Sequence, residues 1–201
     1  RAADIFACEA LFATVTNVDF DPERFLPLIR RATVLRDGLL EKVRAAGGAA
    51  DLSGDAVTFK PAADLTGMIS QGEDHGIQSY PAADADVLSL KHVLLYGLKG
   101  MAAYADHALI LGQEDEAVFA FLHEGLAALV NPNLGLGEML DLVMKCGQVN
   151  LRTMELLDAA NTGAYGHPVP TTVPLGAKKG KAILVSGHDL KDLEGLLKQT
   201  E

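Results

Sequence analysis

Nearly all the apolar residues of this chain recur at the 3.6-residue spacing of a helix, and only one short stretch, Ala182-Ile-Leu-Val185, reads as a strand. One strand cannot make a sheet. The 201 residues are 49% apolar and 5% aromatic, with no Trp. That balance suits packed helices better than a β-sandwich, and the length supplies an ample core. The expected fold class is mainly α: three-helix-bundle repeats followed by the first strand–helix unit of an α/β domain.

The periodicity predicts a helix over 2–16 with Ile5, Phe6, Ala10, Leu11 and Val15 facing inward. Asp21-Pro22-Glu23 is a strong helix start: a cap, a proline at the first helical position and an acid against the dipole. That helix runs to about Ala46 and stops at Gly47-Gly48. Residues 47–83 are rich in Gly, Ala, Asp and Pro and read as irregular, with a short helix near 61–70. Three further helices are expected over 86–112, 114–130 and 136–160, then a loop from Asn161 to Gly180. Gly97 and Gly100 interrupt the first of these three, and close approach of a neighbouring helix is their expected purpose. The organisation follows: 1–46 as the remainder of a first three-helix bundle, 47–85 as a connector, 86–162 as a second bundle, and 163–201 as a loop and the start of an α/β domain.

An internal repeat underlies that division. At one constant spacing, Phe6, Glu9, Leu11, Ala13 and Val15 match Phe121, Glu124, Leu126, Ala128 and Val130. A second helix follows in both copies, but only the later copy has a helix before it. Two copies of a three-helix bundle, the first lacking its opening helix, account for this. The other reading is chance similarity between amphipathic Ala/Leu helices. Arg1 opens directly into a helical pattern and the lone strand stands near the other end, as expected of a segment from a longer chain.

The formal net charge is −10, with Lys and Arg thinly spread, so neither nucleic acid nor an anionic membrane is an expected partner. No apolar run reaches the roughly 18 residues of a membrane span, and no signal peptide is visible. Cys8 and Cys146 both fall within helical patterns, where small buried thiols are expected, and a reducing cytoplasm is the natural compartment.

Several catalytic signatures fail on spacing. No Glu has a His three residues later, which removes the di-iron bundle pattern. Gly176-Ala-Lys-Lys-Gly180-Lys181 is one residue short of a phosphate loop, lacks its Ser/Thr and precedes the strand. Gly135-Leu-Gly137 lacks the third glycine of a dinucleotide fingerprint. His92, His107 and His123 lie on helices with no second ligand at i+3 or i+4, and His75 and His167 fall in irregular segments. His188 differs. It follows the strand and the turn Ser186-Gly187, and Asp189 caps a helix bearing Leu190, Leu193, Leu196 and Leu197. Ligands gather at such strand ends in open α/β sheets. The residues alone leave both a turn histidine and a functional one open.

Four segments together resemble the hybrid-cluster (prismane) protein family, also known as hydroxylamine reductases. They are Ala10-Leu-Phe-Ala-Thr-Val-Thr-Asn17; Gly97-Leu-Lys-Gly-Met-Ala-Ala-Tyr-Ala-Asp-His-Ala108; Leu156-Leu-Asp-Ala-Ala-Asn-Thr162 with Tyr165-Gly-His-Pro-Val-Pro-Thr171; and Ser186-Gly-His-Asp-Leu-Lys-Asp-Leu-Glu194 with Leu197-Lys-Gln-Thr-Glu201. The resemblance implies a helical domain of two three-helix bundles followed by α/β domains. It implies an iron–sulfur oxidoreductase that reduces hydroxylamine to ammonia and water, with nitric oxide as the alternative substrate and a redox protein as electron donor. The nickel–iron carbon monoxide dehydrogenases share the architecture, but these segments favour the hybrid-cluster branch.

The same resemblance implies a conventional 4Fe-4S cluster and a hybrid iron–sulfur–oxygen cluster. It assigns the one histidine ligand of the hybrid cluster to His188, as a metal- and cofactor-binding residue without an acid–base role. The departures are definite. The family's N-terminal cysteine cluster has no counterpart, and neither Cys8 nor Cys146 matches a ligand position. The remaining ligands belong to motifs of the longer parent chain, so this segment is expected to hold no cluster and to be inactive alone.

Overall fold

A computed structural model describes residues 1–15, 20–48, 54–187 and 189–201. The described residues form eight α-helices: α1 (Ala2–Ala13), α2 (Phe25–Ala45, entered through a 3-10 turn at Pro22–Arg24), α3 (Asp55–Thr58), α4 (Leu65–Asp74), α5 (Ala85–Ile110), α6 (Glu116–Val130), α7 (Leu136–Tyr165) and α8 (Leu190–Thr200). None of them is long and apolar enough to cross a membrane.

Side-chain caps set most of the helix starts. Asp84 accepts from the backbone N–H groups of Asp86 and Val87 at 3.0 and 2.9 Å and opens α5. Asp115 accepts from Ala117 N at 2.9 Å to open α6, and its other oxygen takes Arg152 Nε of α7 at 2.8 Å. At α7, Glu138 reaches back to the Gly135 N–H at 2.9 Å. The expected loop from Asn161 begins later than the sequence indicates, because α7 continues to Tyr165. Asn161 Nδ2 donates to the Leu157 carbonyl at 3.1 Å and Thr162 Oγ1 to that of Asp158 at 2.7 Å. Both side chains thus bond within the helix, and the turn waits for Gly166, whose φ of +81° suits glycine.

Helix α5 is the hub, with α1, α6 and α7 all packed on it. Leu94, Leu98, Met101 and Ala102 are fully buried, as are Leu122 of α6, Met139 of α7 and Cys8 of α1. The two glycines of α5 differ. A Cβ on Gly97 would lie 2.8 Å from Cys146 Sγ of α7, so this glycine permits the close approach expected of it. A Cβ on Gly100 would meet nothing within 4 Å. Gly125 of α6 makes the other close approach, since its Cβ would collide with Leu98 at 2.7 Å.

The apolar stripe of α5 contains one cation that sequence reading passed over. Lys91 has no exposed surface. Its Nζ donates to the carbonyls of Pro81, Leu129 and Asn131 at 2.6, 2.9 and 2.7 Å. Three acceptors for three N–H bonds satisfy an ammonium, and two of them close the carbonyl end of α6, where a cation is favoured. Burial pushes the Lys91 pKa below the usual lysine range. The signal was present in its spacing: Val87, Lys91, Leu94, Leu95 and Leu98 share one helix face.

The matched residues of the two copies make matching contacts. Arg31 of α2 lies over the Phe6 ring at 5.0 Å and pairs with Glu9 at 3.0 Å. Lys145 of α7 lies over the Phe121 ring at 5.5 Å and pairs with Glu124 at 2.6 Å. The copies differ in cover. Val118 and Leu122 of α6 are buried and Gly125 rests on Leu98 of α5. Their counterparts Ala3, Ala7 and Ala10 instead line an open apolar groove of about 570 Å³ between α1 and α2, with Leu35, Leu39 and Val43 opposite.

The connector is fastened to α2 by arginines. Arg30 donates to the Ala63 carbonyl at 2.6 Å and Arg36 to that of Phe59 at 2.7 Å. The short helix expected near 61–70 forms over Leu65–Asp74, because Asp64 caps it by accepting from Gly67 N at 2.8 Å.

The strand expected near 181–186 does not form among the described residues. The run Ala182–Val185 has no strand to pair with, and Ile183 and Leu184 are 66% and 97% exposed. A strand exists only through its ladder, and no second strand is present among the described residues to provide one. Helix α8 does form, since its N-cap bonds are local.

Two sets of variants of this chain test the packing. Lys91→Met should leave the buried Leu129 carbonyl and the partly buried Pro81 and Asn131 carbonyls without their donor and destabilise by about 3 kcal/mol, read as a thermal midpoint lowered by roughly 6–12 °C. Gly97→Ala should destabilise by about 1–3 kcal/mol through its clash with Cys146. In a Cys146→Ala background the same change should become neutral or stabilising. Gly100→Ala, with open space around it, should stabilise by about 0.5–1 kcal/mol. Equal effects at the two glycines would contradict the packing described.

Candidate functional site

His188, the metal-ligand expectation, lies outside the described residues. The residue after it is well anchored. Asp189 Oδ1 accepts from the N–H groups of Lys191 and Asp192 at 2.8 and 3.4 Å, which caps α8. Asp189 Oδ2 faces the opposite way, 3.5 Å from His107 Nε2 of α5. The His107 ring in turn meets Phe12 of α1 edge-on, with centroids 5.1 Å apart. One turn along α8, Glu194 accepts from the Tyr165 hydroxyl at the end of α7 at 3.0 Å. Lys198 and Lys191 also bond Glu194, and Lys198, Lys191 and Tyr165 together hold its carboxyl down at about 2.

Phe12, His107, Tyr165 and the pair Asp189/Glu194 come from four segments far apart in the chain. They are the same four segments that carry the sequence resemblance. Folding brings one residue or pair from each to the N-terminal half of α8. No side chain of α8 is fully buried, though Leu196 is half-buried, and these polar contacts help to hold it in place.

Three of the other histidines, His75, His92 and His123, have structural partners. His92 Nε2 lies 3.0 Å from the Ile77 carbonyl, and His123 Nε2 lies 2.8 Å from Asp4 Oδ1. His75 is exposed and meets Phe59 edge-on at 5.8 Å. His167 is exposed in the segment after α7. His107 is the functional-site neighbour that sequence reading missed. Its signal was membership in the Gly97–Ala108 segment, and nothing in its spacing along α5 points to Asp189.

The thiols are poor ligands. Cys8 is fully buried, and burial, assisted by the negative charges of Asp106, Asp4 and Glu9, pushes its pKa up to about 12. Burial raises Cys146 as well. Neither is available as the thiolate that iron–sulfur chemistry needs. Among the described residues, no three of His, Cys, Asp and Glu gather closely enough to hold a metal ion.

Comparison with known proteins supplies the wider frame. The family model described as Prismane/CO dehydrogenase family matches residues 1–201. The chain is 63% identical over 198 residues to a protein of Syntrophobacter fumaroxidans named hydroxylamine reductase, covering 98% of this chain and 36% of the relative. It is 60% identical over 199 residues to a protein of the same name from Methanocella arvoryzae, covering 98% and 37%. A third relative of that name, from Solidesulfovibrio magneticus, is 56% identical over 195 residues, covering 97% and 35%. The chain thus spans little more than a third of the length of these curated relatives.

The cysteine environment gives a direct test. Neither thiol should react with a thiol-specific reagent in the folded chain at pH 8, and both should react once denaturant is added. Raising the pH to about 9.5, still well below the Cys8 value of about 12, should not expose Cys8. Prompt labelling of the native chain would contradict the burial described.

Proposed function

From the premise that this chain belongs to the Prismane/CO dehydrogenase family, we propose that it is the helical segment of an iron–sulfur oxidoreductase that reduces hydroxylamine to ammonia and water. The convergence of four separated segments on the start of α8 carries this reading, because it builds a fixed support directly beside His188. The relatives bearing the name hydroxylamine reductase support the substrate class.

The reaction breaks the N–O bond with two electrons and two protons. In the whole protein, His188 would be an imidazole ligand of the hybrid cluster, which when bound would supply the reactive iron and the reducing electrons. The described residues do the supporting work. Asp189 fixes the backbone on one side of His188 by capping α8. Tyr165 and Glu194 fix the helix one turn further on. A conventional iron–sulfur cluster elsewhere in the whole protein would supply a path for electrons from a redox donor, and the protein works in the cytoplasm. By itself the chain is an inactive helical scaffold.

The uncovered surfaces support the proposed division. The repeated Phe–Glu–cation arrangement favours a duplicated bundle over 1–46 and 86–162, and the apolar groove between α1 and α2 is the seat of the missing helix of the first copy. The exposed run Ala182–Val185 is the strand of an α/β unit whose partners lie in the rest of the parent chain.

The test is His188→Ala in the full-length protein. Iron content and hydroxylamine turnover should fall together by about ten- to a hundred-fold, with the helical thermal transition unchanged. In the 201-residue chain the same substitution should shift the thermal midpoint by less than about 2 °C. Unchanged iron and turnover in the full-length variant would remove His188 from the ligand set.

A further inference from the structure

We infer that this chain pairs with a second copy of itself, α7 against α7 and end for end, through an apolar stripe on the side of that helix turned away from the hub. The inference is independent of the function proposed above and of the ligand reading of His188.

Helix α7 is apolar on two sides. It sends Met139, Cys146, Leu156 and Ala160 into the core. Roughly 140° around the helix, at 3.6 residues per turn, stand Leu136, Leu140, Met144, Leu151 and Met154. These five are between 48% and 62% exposed. From Leu136 to Met154 this side carries no charged residue. Single exposed leucines are ordinary on a protein surface, but a continuous apolar row along one helix marks a contact face.

The spacing selects the occupant. Leu140, Met144, Gly147, Leu151 and Met154 follow one another at intervals of four, three, four and three, the heptad rhythm of a helix–helix seam. The row is nearly symmetric about a point between Met144 and Gly147. Turned end for end, it meets itself with Leu140 opposite Leu151 and Met144 opposite Gly147, the self-matching that a two-fold pair requires. A Cβ on Gly147 would meet nothing within 4 Å, so no neighbour among the described residues calls for a glycine there. In the pair, its missing side chain leaves the space that the second copy's Met144 fills, and methionine suits such a gap. Pairing in the same direction would instead set glycine on glycine and methionine on methionine.

The area sets the strength. A stripe about 27 Å long on a helix about 10 Å across can bury roughly 400–500 Å² per copy. A standard stable interface buries about 800 Å² per partner. The pair is therefore weak and depends on concentration.

The experiment is sedimentation equilibrium of the 201-residue chain and its variants. The parent chain should pass from monomer toward dimer between about 10 and 500 μM. Met144→Glu sets two carboxylates near the two-fold axis, and Gly147→Leu fills the gap; each should weaken the dimer more than about tenfold. The thermal midpoint at low concentration should move by less than about 2 °C, because both positions are exposed. Leu39→Glu in the open α1/α2 groove and Leu184→Lys in the exposed run should leave the dimer intact. The register is read by disulfide formation under mild oxidation. The double variant Leu140→Cys/Leu151→Cys should link two copies, and neither single variant should. A chain that stays monomeric throughout the range would overturn the inference. So would a dimer that survives Met144→Glu, or one lost in Leu39→Glu or Leu184→Lys, since another surface would then hold it. Linkage in either single variant would overturn the end-for-end arrangement.

Discussion

The structure depends on the burial of α5. One helix is covered by α1, α6 and α7 at once, and that demands three things of its sequence. It must carry an unbroken apolar face, as Leu94, Leu98, Met101 and Ala105 do. It must be narrow where a neighbour approaches, which Gly97 provides against Cys146. Its one buried charge must be fully hydrogen-bonded, and three carbonyls surround the Lys91 ammonium. A buried cation with fewer acceptors would destabilise the hub it sits in. Because those carbonyls come from the connector and from the end of α6, Lys91 also fixes where both segments lie.

From that hub the support for the proposed site follows. His107 leaves α5 where it is rigid, and α7 carries Tyr165 to the same end of the molecule. Helix α8 has no fully buried side chain, and those contacts help to place it. The mainly α fold and the family resemblance are thus linked through specific residues. The segments of highest resemblance are the ones that meet in space, and the connector, which carries none, is fastened through Arg30, Arg36, Lys91 and His92.

Much of this was legible in the sequence. Helical periodicity located α1, α2, α5, α6 and α7, because an amphipathic stripe records burial directly. The aspartates before α4, α5, α6 and α8 mark helix starts, since capping is a local bond that the sequence displays. Two kinds of information were not legible. One is long-range pairing: His107 and Asp189 lie eighty-odd positions apart, and no periodicity links them. The other is context. Ala182–Val185 has the composition of a buried strand, but ladder bonds depend on a partner strand, and none stands beside it among the described residues. The extension of α7 past Asn161 is a smaller case, in which loop-favouring side chains bond back to the helix instead of ending it.

On the function proposed here, this chain is a folded support that supplies one ligand to a cluster completed elsewhere. The most direct measurement is anaerobic reconstitution of the 201-residue chain with iron and sulfide, followed by desalting, iron analysis and a visible spectrum. The chain should emerge folded and colourless, with less than about 0.1 iron per molecule, since one imidazole and two buried thiols cannot retain a cluster. A brown chain retaining a stoichiometric iron–sulfur chromophore would contradict the account.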